Sequence, residues 1–505
     1  MQEHNHTPKD NTNENEFTTN FEFEQFGIGF DEIQAEAENL AATEQPTPHK
    51  KLLKELLEQF NLLDFEKLAN PDNAENFKLI LKHYLVLSIE NTLTIAEQNS
   101  WGLCKNNDFI YLYNGTFWAE IEKETFQKFL GEAAEKMGVA KFSARFYIFR
   151  EQLFKQFLAT AYLPTPEVDE NRVLINLKNG TFEVTHNGTK NRTFDRADFL
   201  TYQLPFEYNP QAKAPLFESY LNKVLPDITR QTVLAEYLGY VFIKNGSNGI
   251  KLEKALVLYG TGANGKSVFF EIVNALLGIE NVSSYSMQSL TDSKGYQRAK
   301  LANKLVNYAS EINGKLETDI FKQIVSGEKV EARLPYGQPF ELTNYAKLIF
   351  NCNELPRDVE HTNAYFRRFL IVPFDVTIPE NEQDKTLHSK IIENELSGIF
   401  NWVLAGLKRV LSQKGFSECN AAKKAIEKYR LESDSVLLFL DEYNYKHSIE
   451  NVTLLKELFS EYKSYCIESG FKPCSIKSLA ERLRNAGYSE PEKRNSKGTV
   501  FYMEK

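Results

Sequence analysis

No two cysteines of this chain stand in C-x-x-C spacing. The five present, Cys104, Cys352, Cys419, Cys466 and Cys474, are scattered, which excludes a zinc ribbon and a disulfide framework and leaves reduced thiols as the simplest reading. No apolar run approaches the roughly 18 residues that a bilayer-spanning helix needs, and no basic-then-apolar leader opens the sequence. The expectation is a soluble, intracellular protein without a membrane partner. Positive charge is not in excess either: 59 Lys and Arg against 69 Asp and Glu give a net charge of −10. That balance argues against a nucleic-acid partner only until its location is read. Residues 1–50 hold eleven carboxylates and two lysines, −9 of the total, so residues 51–505 stand near −1. A body close to neutral with both signs interspersed leaves room for local basic channels.

With 505 residues and 42% hydrophobic content, the chain has material for about two to four domains with real cores. Residues 1–48, rich in Asn, Glu, Thr and Gln, read as a disordered acidic tail. Residues 49–205 read as a mixed α/β domain. Helical spacing begins at Lys51, and a hairpin over Phe109–Trp118 turns at Asn114-Gly115. Helices follow over Thr125–Lys136 and Arg145–Ala161, and a second hairpin closes at Asn179-Gly180. Helices over Phe217–Val224 and Thr232–Ile243 precede the most informative segment, and a long helical stretch over Glu382–Leu411 follows it, with Trp402 on the apolar face. Beyond Ser435 the pattern gives three helices and a short hairpin, the order of a winged helix. In that reading Ile476–Ala486 is the recognition helix, carrying Lys477, Arg482 and Arg484, and Lys493 and Arg494 sit in the wing.

The informative segment is Gly260-Thr261-Gly262-Ala263-Asn264-Gly265-Lys266-Ser267, between a strand-like Lys254–Tyr259 and a helix-like Val268–Leu277. Glycines at these positions let backbone N–H groups and a helix N-terminus cradle phosphate oxygens. The lysine reaches the β and γ phosphates, and the serine hydroxyl meets a Mg²⁺ bridging them. The segment therefore reads as an NTP site.

Such a loop alone does not separate kinases from motors. Downstream, Leu305–Glu311 reads as a strand ending in one acid, placed to polarise an attacking water, with Ser310 where a metal-holding acid often sits. Val330–Leu342 reads as two strands around Pro335-Tyr336-Gly337, rimmed by Lys322, Lys329 and Arg333. The strand Ala346–Asn353 ends in an amide able to orient water or sense a γ-phosphate. Arg367 and Arg368 precede the next strand too directly for a routine surface pair, and one of them can act as an arginine finger across a subunit boundary. That implies a ring.

The series G-T-G-A-N-G-K-S, A-S-E at 309–311, the cation-rimmed hairpin, N-E-L-P at 353–356 and R-R-F-L-I-V-P-F at 367–374 resembles the superfamily 3 AAA+ helicases, in the phage, plasmid and poxvirus primase-helicase group. The likeness extends to the flanks through Asn176–Thr181, Thr201–Phe206 and Tyr429–Val436. The resemblance implies an α/β protein in five parts: the tail (1–48), a mixed α/β domain (49–205), an AAA+ P-loop ATPase core with its preceding helices (206–375), a helical segment completing the motor (376–434) and a winged-helix DNA-binding domain (435–505). It makes residues 260–267 the nucleotide loop for ATP and Mg²⁺. Lys266 and Glu311 become catalytic, Ser267 and Glu311 metal-facing, Asn353 the sensor, and Arg367 or Arg368 the finger. The hairpin would ride single-stranded DNA in the pore of a homo-oligomer, a hexamer in this group, with Lys329, Arg333 and Tyr336 as gripping candidates, while the winged helix meets duplex DNA.

The implied activity is 3′ to 5′ DNA unwinding during replication of a phage, plasmid or other mobile element, in the cytoplasm of a bacterial or phage-infected cell. Relatives that carry a primase domain differ from this chain, which starts with an acidic tail and lacks Cys/His metal spacing, so a primase or host replication factor would be a separate partner. Two other readings remain open. One is an ATP-switched origin-binding or loading protein that does not unwind DNA. The other is a P-loop small-molecule kinase, which predicts a monomer whose hydrolysis ignores DNA.

Overall fold

The computed structural model describes residues 48–505 except 73, 107–108, 162–171, 186–187, 246–249, 311, 313–315, 336, 357–358 and 492–497. The acidic tail, Glu311, Tyr336, Lys493 and Arg494 lie outside the described residues. The chain forms two units, 1–59 and 60–505. The described part of the first is a helix, α1 (Pro48–Glu58).

In the second unit a short helix over Phe65–Ala69 precedes α2 (Leu81–Gln98) and a three-stranded antiparallel sheet, β1 (Gly102–Asn106), β2 (Phe109–Tyr113) and β3 (Trp118–Ile121). The β2–β3 turn is fixed locally, because Asn114 Oδ1 accepts from the N–H groups of Thr116 at 3.0 Å and Phe117 at 2.9 Å. The first hairpin thus forms where the sequence places it, with β1 added. Helices α3 (Lys123–Lys136) and α4 (Tyr147–Thr160) follow. The single helix expected from Arg145 is interrupted at Phe146, whose φ of −70° and ψ of 132° are extended. A second antiparallel sheet comprises β4 (Arg172–Leu177), β5 (Gly180–Thr185) and β6 (Gly188–Arg192).

Helices α5 (Pro215–Val224) and α6 (Ile228–Tyr240) lead into the central layer. There β7 (Ala255–Tyr259), α7 (Lys266–Leu277), β8 (Val282–Ser283), β9 (Val306–Ala309) and α8 (Thr318–Val325) alternate. The hairpin β10 (Val330–Arg333) and β11 (Pro339–Leu342) precedes β12 (Lys347–Cys352) and β13 (Phe369–Pro373). The sheet order is β13-β7-β12-β9-β8, and every pairing in it is parallel. Parallel strands covered on both faces read as unbroken apolar runs; Ala255, Leu256, Val257 and Leu258 of β7 are each 0% exposed.

Helix α9 (Leu387–Gln413) packs against α5, α6 and α7. It starts five residues later than the sequence pattern suggests, because Pro379 is followed by a 3₁₀ turn and Asp384 Oδ1 then accepts from Thr386 N at 2.9 Å. Trp402 packs edge-on against Phe217 with ring centroids 5.2 Å apart. Glu236 of α6, fully buried, accepts from Arg409 Nε at 3.1 Å and Ser417 N at 2.8 Å and so ties α6 to α9 and the segment after it.

The chain ends in α10 (Asn420–Ser433), α11 (Ser435–Glu442), β14 (Lys446–Leu454), α12 (Leu455–Glu468), α13 (Ile476–Asn485) and β15 (Val500–Glu504). From α11 onward a separate core gathers Val436, Phe439, Tyr462, Leu479 and Phe501. The order here is helix, strand, helix, helix, strand, which corrects the three consecutive helices expected. Residues 446–454 pair antiparallel with the C-terminal strand across a bulge between His447 and Val452, a partner some fifty residues away that local pattern does not reveal.

Candidate nucleotide-binding site

Strand β7 ends at Tyr259, and residues 260–265 turn into the N-terminus of α7. Two glycines are required by geometry. Gly265 holds φ of +84°, and a Cβ there would come 2.7 Å from Val224 Cγ1. A Cβ on Gly260 would meet Asn264 Nδ2 at 2.2 Å and the Phe374 carbonyl at 2.5 Å. Only glycine allows both the left-handed turn and the close approach. The buried Asn264 gives Nδ2 to the Phe374 carbonyl at 3.1 Å, and Ile378 N donates to the Ala263 carbonyl at 2.7 Å, so the segment after β13 braces the loop. Thr261 and Ala263 are exposed and Gly262 half-buried.

Lys266 is buried, and its Nζ donates to the Gly260 carbonyl at 2.5 Å and Asn264 Oδ1 at 3.1 Å. Burial pulls its ammonium below the usual lysine range, with Cys352 opposing weakly. An anion arriving at the loop would favour the charged form. Ser267 is exposed on the first turn of α7, a hard oxygen donor suited to Mg²⁺, which typically takes one or two protein oxygens and completes its shell with substrate phosphates and water.

Neighbouring strand ends converge on this loop. Gly260 N donates to the Cys352 carbonyl at 3.1 Å, so β12 terminates beside the loop and Asn353, exposed, is the next residue. Strand β9 ends at Ala309, in register with Phe350 of β12. Ligands of parallel α/β sheets bind outside such carboxyl ends.

Arg367 and Arg368 lie at the other end of the sheet, ahead of Phe369, which is in register with Ala255 at the start of β7. Their environments differ. Arg368 is buried and donates to Ser326 Oγ at 3.0 and 3.3 Å and to the Lys322 carbonyl at 3.3 Å. Arg367 is exposed, its Nη2 3.0 Å from Glu253 Oε2.

The hairpin cations are also partnered. Lys322 pairs with Glu360 at 2.6 Å, and Lys329 with Glu341 across the hairpin base at 3.2 Å. Arg333 is exposed, and its Nε donates to the Gly337 carbonyl at 2.9 Å, closing the turn. Sequence reasoning missed Arg298, which is buried and donates to the carbonyls of Glu331 at 2.8 Å and Leu290 at 3.0 Å, tying the hairpin to the segment that holds Leu290 and Arg298. No spacing pattern marked it. In the C-terminal unit Lys477 is exposed, whereas Arg482 Nη1 meets Asp434 at 3.2 Å and Arg484 Nη2 meets Glu490 at 2.6 Å.

A glycine loop with lysine and serine between a buried parallel strand and a helix, at the carboxyl end of a five-stranded parallel sheet, is the core of a P-loop nucleotide-binding protein of the α/β class. Comparison with known proteins narrows this. Residues 78–226 match the family model described as D5 N terminal like, and residues 258–368 match a family of unknown function, DUF5906. A protein of Acanthamoeba polyphaga mimivirus named "Putative helicase" is 26% identical over 245 residues, 45% of this chain and 24% of that one. Another "Putative helicase", from Invertebrate iridescent virus 3, is 22% identical over 344 residues, 60% of this chain and 36% of that one. The chain thus covers about a quarter to a third of the length of these relatives. The solved apo structure of the NrS-1 C terminal region matches at 15% identity, over 81% of this chain and 98% of that one, with a TM-score of 0.47. In these family matches and viral relatives the chain resembles the superfamily 3 helicases of the phage, plasmid and poxvirus primase-helicase group. No described helix is long and apolar enough to cross a membrane, and none of the five cysteines is joined in a disulfide.

Proposed function

We propose that the chain is an ATP-dependent, ring-forming DNA helicase with an AAA+ core, which unwinds duplex DNA 3′ to 5′ during replication of a phage, plasmid or other mobile element. The observation that carries this reading is the Gly260–Cys352 backbone bond, which sets Asn353 beside the phosphate loop while Arg367 stands at the opposite end of the same sheet. A five-residue parallel strand is about 17 Å long, so Arg367 is remote from its own loop and suited to the loop of a neighbouring subunit. In this reading the loop amides and Lys266 hold the β and γ phosphates of ATP, and Asn353 orients the attacking water that Glu311 polarises. Arg367 of one subunit neutralises charge developing on the γ-phosphate of the next. Ser267 would hold Mg²⁺, which would supply neutralisation of the phosphate charge.

The β10–β11 hairpin contacts the phosphates of one strand in the central channel, with Arg333 and Tyr336 as the contacting side chains. The C-terminal unit, α11 to β15, acts as a winged helix on duplex DNA, with α13 presenting Lys477. The domain divisions at 48, 205, 375 and 434 belong to the same proposal. The test is unwinding of a forked DNA duplex with ATP and Mg²⁺ by wild type, Lys266→Ala, Arg367→Ala and Arg368→Ala. Strand separation by wild type, none by Lys266→Ala, and ATP binding without hydrolysis by Arg367→Ala are expected. Hydrolysis stimulated by DNA with no strand separation in wild type overturns the helicase reading in favour of a loading protein.

A further inference from the structure

Away from the phosphate loop, a cavity of about 370 Å³ opens where β2, the segment around Phe199 to Tyr202, the end of α6 and the base of the β10–β11 hairpin meet. Its size falls in the range of small-molecule sites. It lies at the amino-terminal end of the parallel sheet: Lys347, which lines it, is the first residue of β12, whereas Cys352, beside the phosphate loop, is the last. At about 3.3 Å per residue the two places are roughly 17 Å apart along the strand.

The walls combine two chemistries. Aromatic rings line the cavity, with Tyr111 edge-on to Phe199 at 5.2 Å and Phe109 edge-on to Phe340 of the hairpin at 5.8 Å between centroids. Cations line it too: Arg172, Lys244, Lys304 and Lys347. Of the two acids that share it, Asp198 accepts from Arg192 Nη2 at 2.7 and 2.8 Å while its charge also acts on Lys244, and Glu341 pairs with Lys329 at 3.2 Å. Lys347 Nζ donates to Asn245 Oδ1 and sits 4.3 Å above the Tyr240 ring, neither of which carries charge. Asn245 Nδ2 is buried without a hydrogen-bond partner among the described residues. Burial alone pulls the Lys347 ammonium down to about 7, and burial lowers Lys244 and Lys304 as well. An ammonium buried and, among the described residues, answered by an amide and a ring is costly unless an anion joins it.

We propose that this cavity is a second nucleotide site, taking one nucleotide unit with its base on the aromatic wall and its phosphate on Lys347, Lys244 and the Asn245 amide. Aromatic faces accept any base by stacking, and clustered cations accept the phosphate. The occupant is a free mononucleotide or one unit of a single strand, and the hairpin strand β11 touches it through Phe340. This inference is independent of the phosphate-loop reading.

The experiment uses the full chain carrying Lys266→Ala, so that the phosphate loop contributes little. Binding of deoxyadenosine monophosphate, deoxyadenosine and a pentadeoxyadenylate is measured by calorimetry, before and after adding Lys347→Met or Phe340→Ala. Lys347→Met keeps the aliphatic stem while removing a buried charge, and a melting curve checks its fold; Phe340→Ala probes the aromatic lining should Lys347→Met fail to fold. The expected result is that the phosphate-bearing probe binds at least tenfold more tightly than the nucleoside and that each added substitution weakens it at least tenfold. Tighter binding of the mononucleotide assigns a free ligand, and a Lys347-dependent gain for the pentanucleotide assigns the strand. Equal affinity for nucleoside and nucleotide, or affinity unchanged by both substitutions, overturns the site. The difference in ATP binding between the protein with an intact Lys266 and the Lys266→Ala protein, measured separately, reports on the phosphate loop.

Discussion

The Tyr220 hydroxyl donates to the carbonyl of Gly265 at 2.8 Å, fastening α5 to the left-handed residue that starts α7. Helix α5 is in turn capped by a residue far along the chain, because the Glu395 carboxylate accepts from Leu216 N at 2.9 Å and Phe217 N at 2.8 Å. The phosphate loop is thus shaped by a helix that precedes it and by α9, which follows it. Tyr220→Phe removes one buried hydrogen bond worth about 1 kcal/mol. ATP affinity should fall about fivefold with little change in the melting temperature, as read by titration with a fluorescent ATP analogue. Unchanged affinity would show that the loop holds its shape without Tyr220.

The paired arginines should separate by phenotype. Arg368→Ala leaves the Ser326 hydroxyl without its donor and a buried site empty, and should cost about 2–4 kcal/mol of stability. Arg367→Ala breaks only an exposed pair with Glu253, worth about 0–1 kcal/mol, and should leave chemical denaturation unchanged while abolishing ATP hydrolysis. Mixing Arg367→Ala with Lys266→Ala should restore part of the hydrolysis if the site is shared between subunits.

Lys347 gives the fold a pH signature. Its folded-state value of about 7 lies below the unfolded value of about 10.4, so between these limits the unfolded chain binds more protons. The penalty is full below about pH 7 and is relieved as pH rises toward 10. Lys347→Met should therefore raise the melting temperature more at pH 6 than at pH 9. An equal gain at both values would mean that Lys347 stays charged in the folded protein.

Arg298 holds the hairpin by its backbone, through the Glu331 carbonyl at 2.8 Å. Arg298→Lys keeps the charge but loses the fork of donors. DNA-stimulated ATP hydrolysis should drop at least fivefold, while hydrolysis without DNA changes less than twofold. Equal losses in both assays would place the effect in the ATP site rather than in the hairpin.

In the C-terminal unit Lys477 is exposed, and Arg482 is engaged by Asp434. Lys477→Ala should weaken duplex binding and lower the slope of log affinity against log salt by about 1. Arg482→Ala should instead lower the stability of this unit, because Asp434 also caps α11 by accepting from Val436 N at 2.8 Å. A reversed pattern in a salt-titrated binding assay and a melt would make Arg482 the DNA contact.

The sequence by itself determined the local units: the strand, glycine loop and helix around Lys266, the Asn114 turn, the β10–β11 hairpin and the buried strand before Asn353. Each depends on periodicity or turn chemistry within about ten residues, which is information the chain carries locally. Tertiary structure decided what local pattern does not encode. It made Arg368 a buried fastening and left Arg367 exposed, folded Arg333 back onto its own turn, recruited Arg298 and Glu395 as anchors, and paired β14 with a strand at the chain end. Adjacent arginines have the same intrinsic chemistry, and burial and distant partners separate them. The cavity around Lys347 belongs to the same class, since its aromatic and cationic walls come from segments more than two hundred residues apart that only the folded chain brings together.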